Sequence, residues 1–264
     1  MNETTFDSPH FAPSGAPHRP MSRWKAAGIH LLASATVAGA LVAVMLTVWY
    51  PWPLFEIAGG SGLMVILVGV DVVLGPLITL IIFRAGKKGL KYDILFIAAL
   101  QLAALAYGVY AVYSVRPVYL VYTIDRFDLV AANDLEDEDL AGAKEEAFRH
   151  RPLGRPQYIA TIMPQDASGR QKIMESGLAG KDIHQFPQYY TAYDTQARTA
   201  LAQAKPIKKL QERDPAEVQA FLASSGRTPD SLRFLPLRYR RGDGAVLLDA
   251  GTGMPVKILR IEPW

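Results

Sequence analysis

The sequence contains no cysteine, and this absence narrows the chemistry that the protein can carry. Among 264 residues there is not one thiol, so disulfide bonds, zinc–thiolate centres and cysteine nucleophiles are excluded. The five histidines are scattered without metal-ligand spacing, and neither glycine-rich turn continues into the Lys-Ser/Thr of a phosphate-binding loop. The sequence therefore predicts a protein that is not an enzyme and that holds no cofactor and no metal.

Charged residues are also scarce in the first 116 residues, where three long apolar runs cover residues 26–48, 63–83 and 94–115. Each run has about 20 residues, which is the length of a helix that crosses roughly 30 Å of hydrocarbon. The runs lack the polar stripe that a helix in a soluble core would show. The pattern predicts a membrane domain, residues 23–116, with three transmembrane helices. The proline-rich residues 1–22 before it are expected to form a disordered tail.

The basic residues predict the direction in which these helices cross the membrane. Arg19, Arg23 and Lys25 precede the first run, and further basic residues fill the link between the second and third runs: Arg84, Lys87, Lys88 and Lys91. The link between the first and second runs has neither lysine nor arginine. Since basic segments stay in the cytoplasm, an odd number of spans exports everything after Val115. We expect a multi-pass protein of a bacterial inner membrane with a cytoplasmic N-terminus and a periplasmic C-terminal domain.

Asp71 is the one carboxylate that lies deep within an apolar run. Such a group costs about 2.5–3.5 kcal/mol on insertion scales, so it should face protein. Gly75 and Pro76 follow one turn later, where the proline should kink the helix. Tyr107 is expected at the depth of Asp71, and Gln101 is reached with some tilt. We interpret these residues as a packing site for the helices or a contact for a partner helix, and we favour transport less.

Residues 117–264 have the patterning of an ordinary soluble domain. Alternation predicts strands over 117–123, 127–130 and 158–163, and acids followed by bases predict a helix over 136–149. Asp214-Pro215-Ala216-Glu217 is a typical helix start, which Ser225-Gly226 would end. Two glycine turns near the C-terminus separate three further strands that predict an antiparallel meander. The predicted fold class is a three-helix transmembrane anchor followed by a small α+β extracytoplasmic domain with a C-terminal antiparallel meander.

Aromatic residues gather in the middle of this domain, at Tyr189, Tyr190 and Tyr193. Tyrosines in a loop are suited to anchor a protein interface, and they are equally suited to the edge of a packed core. Both interpretations stay open at this point. Arg238, Arg240 and Arg241 are interpreted as a solvated strand face.

Several short motifs, taken together, are similar to one family. They are Met21-Ser22-Arg23-Trp24-Lys25-Ala26, Trp49-Tyr50-Pro51, Gly69-Val70-Asp71 with Leu74-Gly75-Pro76, Tyr107-Gly108-Val109-Tyr110, Leu247-Leu248-Asp249 and Pro263-Trp264. In this combination the chain resembles the type IV pilin accessory proteins of the TfpX/TfpZ type. The resemblance runs from Met21 to the C-terminus and leaves out the first 20 residues.

The resemblance implies a non-enzymatic inner-membrane factor that promotes the assembly of a cognate type IV pilin into pili. The implied partners are the pilin, other inner-membrane components of pilus assembly and the lipid bilayer, with no nucleic acid. The pilin helix would pack near Asp71 and Gly75-Pro76, and the pilin head would meet Tyr189, Tyr190 and Tyr193. The alternative is a membrane-anchored periplasmic sensor or solute-binding module, although the cytoplasmic segments are too short for an output domain.

Overall fold

The computed structural model describes residues 22–84, 87–240 and 242–264. The predicted N-terminal tail lies outside this description except for Ser22, as do Arg241 and the side chains of Leu63, Ile66, Leu67, Val70 and Asp71. The α-helices of the described ranges are α1 Arg23–Val44, α2 Leu54–Ile57, α3 Gly60–Val68, α4 Gly75–Ile82, α5 Leu90–Ser114, α6 Asp137–Ala141, α7 Ala167–Leu178, α8 Ala197–Gln203, α9 Lys208–Arg213 and α10 Pro215–Ser225.

Two of the apolar helices are long and apolar enough to cross a membrane. They are Arg23–Trp49, in which a π-helical turn extends α1, and Leu90–Ser114, which is α5. Between them, α3, the π-helical segment Gly69–Leu74 and α4 follow one another without a break, and the described residues contribute a shorter apolar helix, Val72–Ile82. By length and composition, the structure thus supports two of the three predicted spans.

The middle helix is the element on which the other two apolar helices pack. His30 of α1 meets Thr79 of α4 through a 2.6 Å hydrogen bond between Nδ1 and Oγ1. The π-helical segment Gly69–Leu74 directly precedes Gly75, and Pro76 stands in the first turn of α4.

Residues 117–264 form a domain built on one mixed sheet, which we call the sheet domain. Its strands are β1 Pro117–Tyr122, β2 Phe127–Ala131, β3 Gln157–Thr161, β4 Tyr190–Ala192, β5 Lys205–Pro206, β6 Leu232–Arg238, β7 Gly244–Asp249 and β8 Pro255–Leu259. The strand order is β4-β3-β1-β2-β6-β7-β8, and β5 pairs with β6. β6, β7 and β8 pair antiparallel, as the glycine turns predict. The helix predicted from Asp214 is α10, which ends at Gly226 with φ of 66°.

Two features of the sheet domain differ from the expectation. β1 pairs with β3, and β2 with β6, in parallel, so the domain mixes both pairings where only antiparallel turns are visible in the sequence. The helix predicted over 136–149 is wrong, because α6 ends at Ala141. The N–H of Gly142 closes the last turn on the carbonyls of Glu138 and Asp139.

Both faces of the sheet are covered. Tyr122, Phe127 and Leu237 lie in the cluster on one side, and Tyr119 and Val121 lie in the cluster on the other. β1 is therefore buried along its whole length, which is the burial expected for a strand inside a covered sheet.

The link between the first and second apolar helices forms part of the core of the sheet domain. Leu54 and Ile57 of α2 are 2% and 1% exposed and pack in one cluster with Leu237 and Val246. The backbone of Gly244 comes so close that an added Cβ would lie 2.9 Å from the Cδ1 of Ile57. The link between the first two apolar helices and the sheet domain consequently share one hydrophobic core.

We predict that Ile57→Ala lowers the free energy of unfolding by about 3 kcal/mol, because it leaves a cavity in this shared core. Trp52→Ala, which removes a 63% exposed side chain from the same link, should leave stability nearly unchanged. Thermal unfolding of the two variants in detergent checks this. Equal midpoints for the two variants would show that the link does not contribute to the core.

Candidate functional site

Three of the residues predicted within the apolar helices lie together. Gly75 and Pro76 are buried, and a Cβ added to Gly75 would lie 1.8 Å from the Nε2 of Gln101. The amide of Gln101 therefore occupies the space that the missing side chain of Gly75 leaves. This contact joins α4 to α5 at a polar group, where any larger residue at position 75 would displace the amide.

The other two residues predicted there stand apart from this contact or outside the description. Tyr107 is 73% exposed, so its side chain lies on the outer surface of the packed helices. The backbone of Asp71 lies in the π-helical segment Gly69–Leu74, and its side chain lies outside the described residues.

Of the three predicted interface tyrosines, two belong to the core. The Tyr190 hydroxyl donates to the carbonyl of His184, and its ring meets Tyr119 edge-on at 5.5 Å. The Tyr193 hydroxyl donates to the carbonyl of Gly253 at 2.7 Å. Burial raises the pKa of both hydroxyls. Because both side chains are buried, they cannot contact a partner protein. At these two positions the structure therefore supports a packed core rather than an interface anchor.

Tyr189 is the one of the three that keeps part of its side chain exposed. It lines a surface cavity of about 460 Å³ together with Ile162, Met163 and Pro164. Ile162 and Met163 are 48% and 37% exposed. An aromatic side chain beside exposed aliphatic ones is a common composition for the centre of a protein interface.

A second cavity, of about 530 Å³, lies between α7 and the edge where β2 meets β6. Its walls carry charges that no sequence motif brings together. Arg238 Nε donates to Asp128 Oδ1 at 2.7 Å, and Arg240 donates to Asp134 at 2.6 Å. The Arg238 and Arg240 side chains are 43% and 65% exposed, as expected for a solvated face, and each also binds a carboxylate that is almost fully buried.

His184 completes this charged cavity. Its Nδ1 is buried without a hydrogen-bond partner among the described residues and lies 3.9 Å from a carboxylate oxygen of both Asp128 and Asp182. Burial lowers the pKa of His184, against the opposing pull of these two carboxylates. Sequence reasoning missed the cavity, although one signal was present, since Asp128 interrupts an otherwise apolar strand.

The sequence is similar to those of several known proteins. A profile described as fimbrial assembly protein FimB matches residues 18–59, which cover the first apolar helix and the link that enters the sheet domain. The fimbrial assembly protein of serogroup I from Dichelobacter nodosus is 33% identical over 241 residues, covering 89% of this chain and 93% of that protein. The chain belongs to the fimbrial assembly protein family.

A second fimbrial assembly protein, of serogroup E1 from the same organism, is 32% identical over 241 residues, which cover 89% of this chain and 93% of that protein. The family membership confirms the resemblance to type IV pilus accessory proteins. A fimbrial assembly protein acts in pilus assembly, and this role implies an interaction with pilin or with the pilus machinery. No solved structure matches the chain.

We predict that His184 makes this fimbrial assembly protein less stable in acid. Because the pKa of His184 is lowered in the folded state, its neutral form is favoured there. The associated stability is complete above the unfolded pKa of about 6.5 and is lost as the pH falls below it.

His184→Leu should therefore weaken the fall of stability as the pH drops below about 6.5, by up to about 1.4 kcal/mol per pH unit. Denaturant unfolding at a series of pH values measures this slope. His150→Gln, at an exposed histidine, serves as the control and should keep the wild-type slope. A wild-type slope in His184→Leu would contradict the prediction.

Proposed function

We propose that the protein is a non-enzymatic accessory factor of the inner membrane that binds a cognate type IV pilin and promotes its assembly into pili. The core that the link between the apolar helices shares with the sheet domain carries this proposal. A pilin that waits in the membrane presents a hydrophobic helix and a soluble head. A protein whose own membrane and soluble parts are joined through one core is suited to hold both at a fixed separation.

The proposed orientation has the N-terminus in the cytoplasm, three membrane spans and the sheet domain in the periplasm. The sheet domain packs against the link after the first apolar helix and continues directly from the end of the third. The basic link, in which Lys87 binds Asp93 at 2.6 Å, lies at the opposite ends of these helices. The positive-inside rule favours the cytoplasm for the basic end and the periplasm for the end that bears the sheet domain.

The proposed contact with the pilin head lies at Tyr189 and the cavity that it lines. Tyr190 and Tyr193, buried in the core, would support this surface from beneath. The charged cavity around Asp128 is a weaker candidate for solute binding, because the arginines that line it already bind its carboxylates. This arrangement favours pilin assembly over the solute-binding alternative.

Alkaline phosphatase fusions test the orientation. A fusion after Trp264 should be active, since the enzyme folds to activity only outside the cytoplasm, and a fusion in the link at residues 84–91 should be inactive. The reverse pattern would place the sheet domain in the cytoplasm and reject an assembly factor that meets the pilin head.

Co-purification of pilin tests the contact surface. Tyr189→Ala should reduce the pilin recovered with the protein several-fold, as removal of an aromatic side chain from the centre of an interface does. Tyr92→Ala, at a 66% exposed tyrosine near the start of α5, is the matched control and should keep full recovery. Equal recovery with both variants would remove Tyr189 from the interface.

A further inference from the structure

The two longest apolar helices leave a groove between them. α1 and α5 both pack on the middle helix, and a cavity of about 250 Å³ lies between Ala33, Ser34 and Val37 of α1 and Gln101 and Leu102 of α5. Small side chains on one wall let another backbone approach closely, as at helix–helix contacts in membranes.

The groove lies close to mid-depth in the proposed membrane. Ser34 follows the start of α1 by about 16 Å, and Gln101 follows the start of α5 by about the same distance, at roughly 1.5 Å per residue. The hydrocarbon layer is about 30 Å thick. Whatever covers this groove therefore does so where no water is available.

Gln101 determines what can cover the groove. Its amide has two donor hydrogens and an acceptor oxygen, and within the described part of the chain it has no hydrogen-bond partner. The Ser34 hydroxyl can donate a hydrogen bond to a backbone carbonyl of its own helix, as serines in helices do. A glutamine amide in the middle of a helix cannot satisfy its donors and acceptor in this way. An acyl chain offers neither donor nor acceptor, so a lipid would leave the amide unsatisfied at a cost.

We propose that the groove between α1 and α5 seats a transmembrane helix of the pilin, which presents a hydrogen-bonding side chain to Gln101. The proposal rests on the proposed function and identifies the face of the membrane part on which the pilin helix lies. The groove stands beside the Gly75–Gln101 contact, so the glutamine that lines the groove also packs on α4.

Cysteine cross-linking tests this placement without background, because the chain has no cysteine. Leu102→Cys places a thiol on the groove, and Leu100→Cys places one on the opposite face of the same helix, since two residues turn an α-helix by about 200°. The two leucines are 66% and 58% exposed, so they form a matched pair. Each variant is combined in membranes with pilin that carries single cysteines along its helix.

The groove position should cross-link to pilin at least tenfold more than the opposite face. In addition, Gln101→Leu should lower pilin recovery about threefold, the factor that one interhelical hydrogen bond supplies in a membrane, while Leu100→Ala should not. Equal cross-linking at both positions, no cross-link at either, or cross-linking of the groove to a second copy of this chain would overturn the proposal.

Two further measurements separate failure of the groove from failure of the proposed function. Recovery of pilin with the wild-type protein and a cross-link from Tyr189→Cys to the pilin head report the function alone. If both are positive while the groove does not cross-link, the groove assignment is wrong and the function stands. If wild-type protein recovers no pilin, the proposed function fails and the groove assignment fails with it.

Discussion

The burial of α2 in the sheet domain is the contact on which the rest of the structure depends. Leu54 and Ile57 lie in the link between two apolar helices, yet they pack among side chains from the far end of the chain. Close by, the Tyr50 hydroxyl donates to the carbonyl of Val112 at 2.9 Å, which joins the ends of α1 and α5. Removal of these side chains from water joins the link and the sheet domain in a single core.

Polar contacts surround this shared core and orient the two parts. The Arg116 guanidinium lies 3.6 Å from the centre of the Tyr113 ring and donates to the carbonyl of Pro152 at 2.9 Å. Arg155 donates to the carbonyl of Thr47 at 2.9 Å. Directional bonds of this kind add orientation to the hydrophobic contact, which by itself has none. The sheet domain is thus held against the helix ends on more than one side.

Local sequence signals predicted the parts of the fold that local physics determines. The apolar runs, the Asp214 helix start and the glycine turns of the meander depend on neighbours within a few residues. The parallel pairing of β2 with β6 joins Asp128 to Arg238, which lie far apart in the sequence, and no periodicity reports such a partner. The burial of Leu54 and Ile57 could not be predicted either, because the residues that cover them are distant in the sequence. By composition alone, their short apolar link resembles a loop at the membrane surface. Tyr190 and Tyr193 show a further limit of sequence-based prediction. A cluster of tyrosines has the same sequence pattern whether its rings are buried in a core or covered by a partner protein.

Distance measurement between the two parts tests the shared core most directly. Spin labels on Leu32→Cys in α1 and Met174→Cys in α7, at exposed side chains of a chain free of cysteine, report the separation of the apolar helices from the sheet domain. A joined core predicts one narrow distance distribution in lipid nanodiscs, with no population of freely reoriented domains. A broad distribution spread over tens of ångströms would show two independent bodies and would contradict the account.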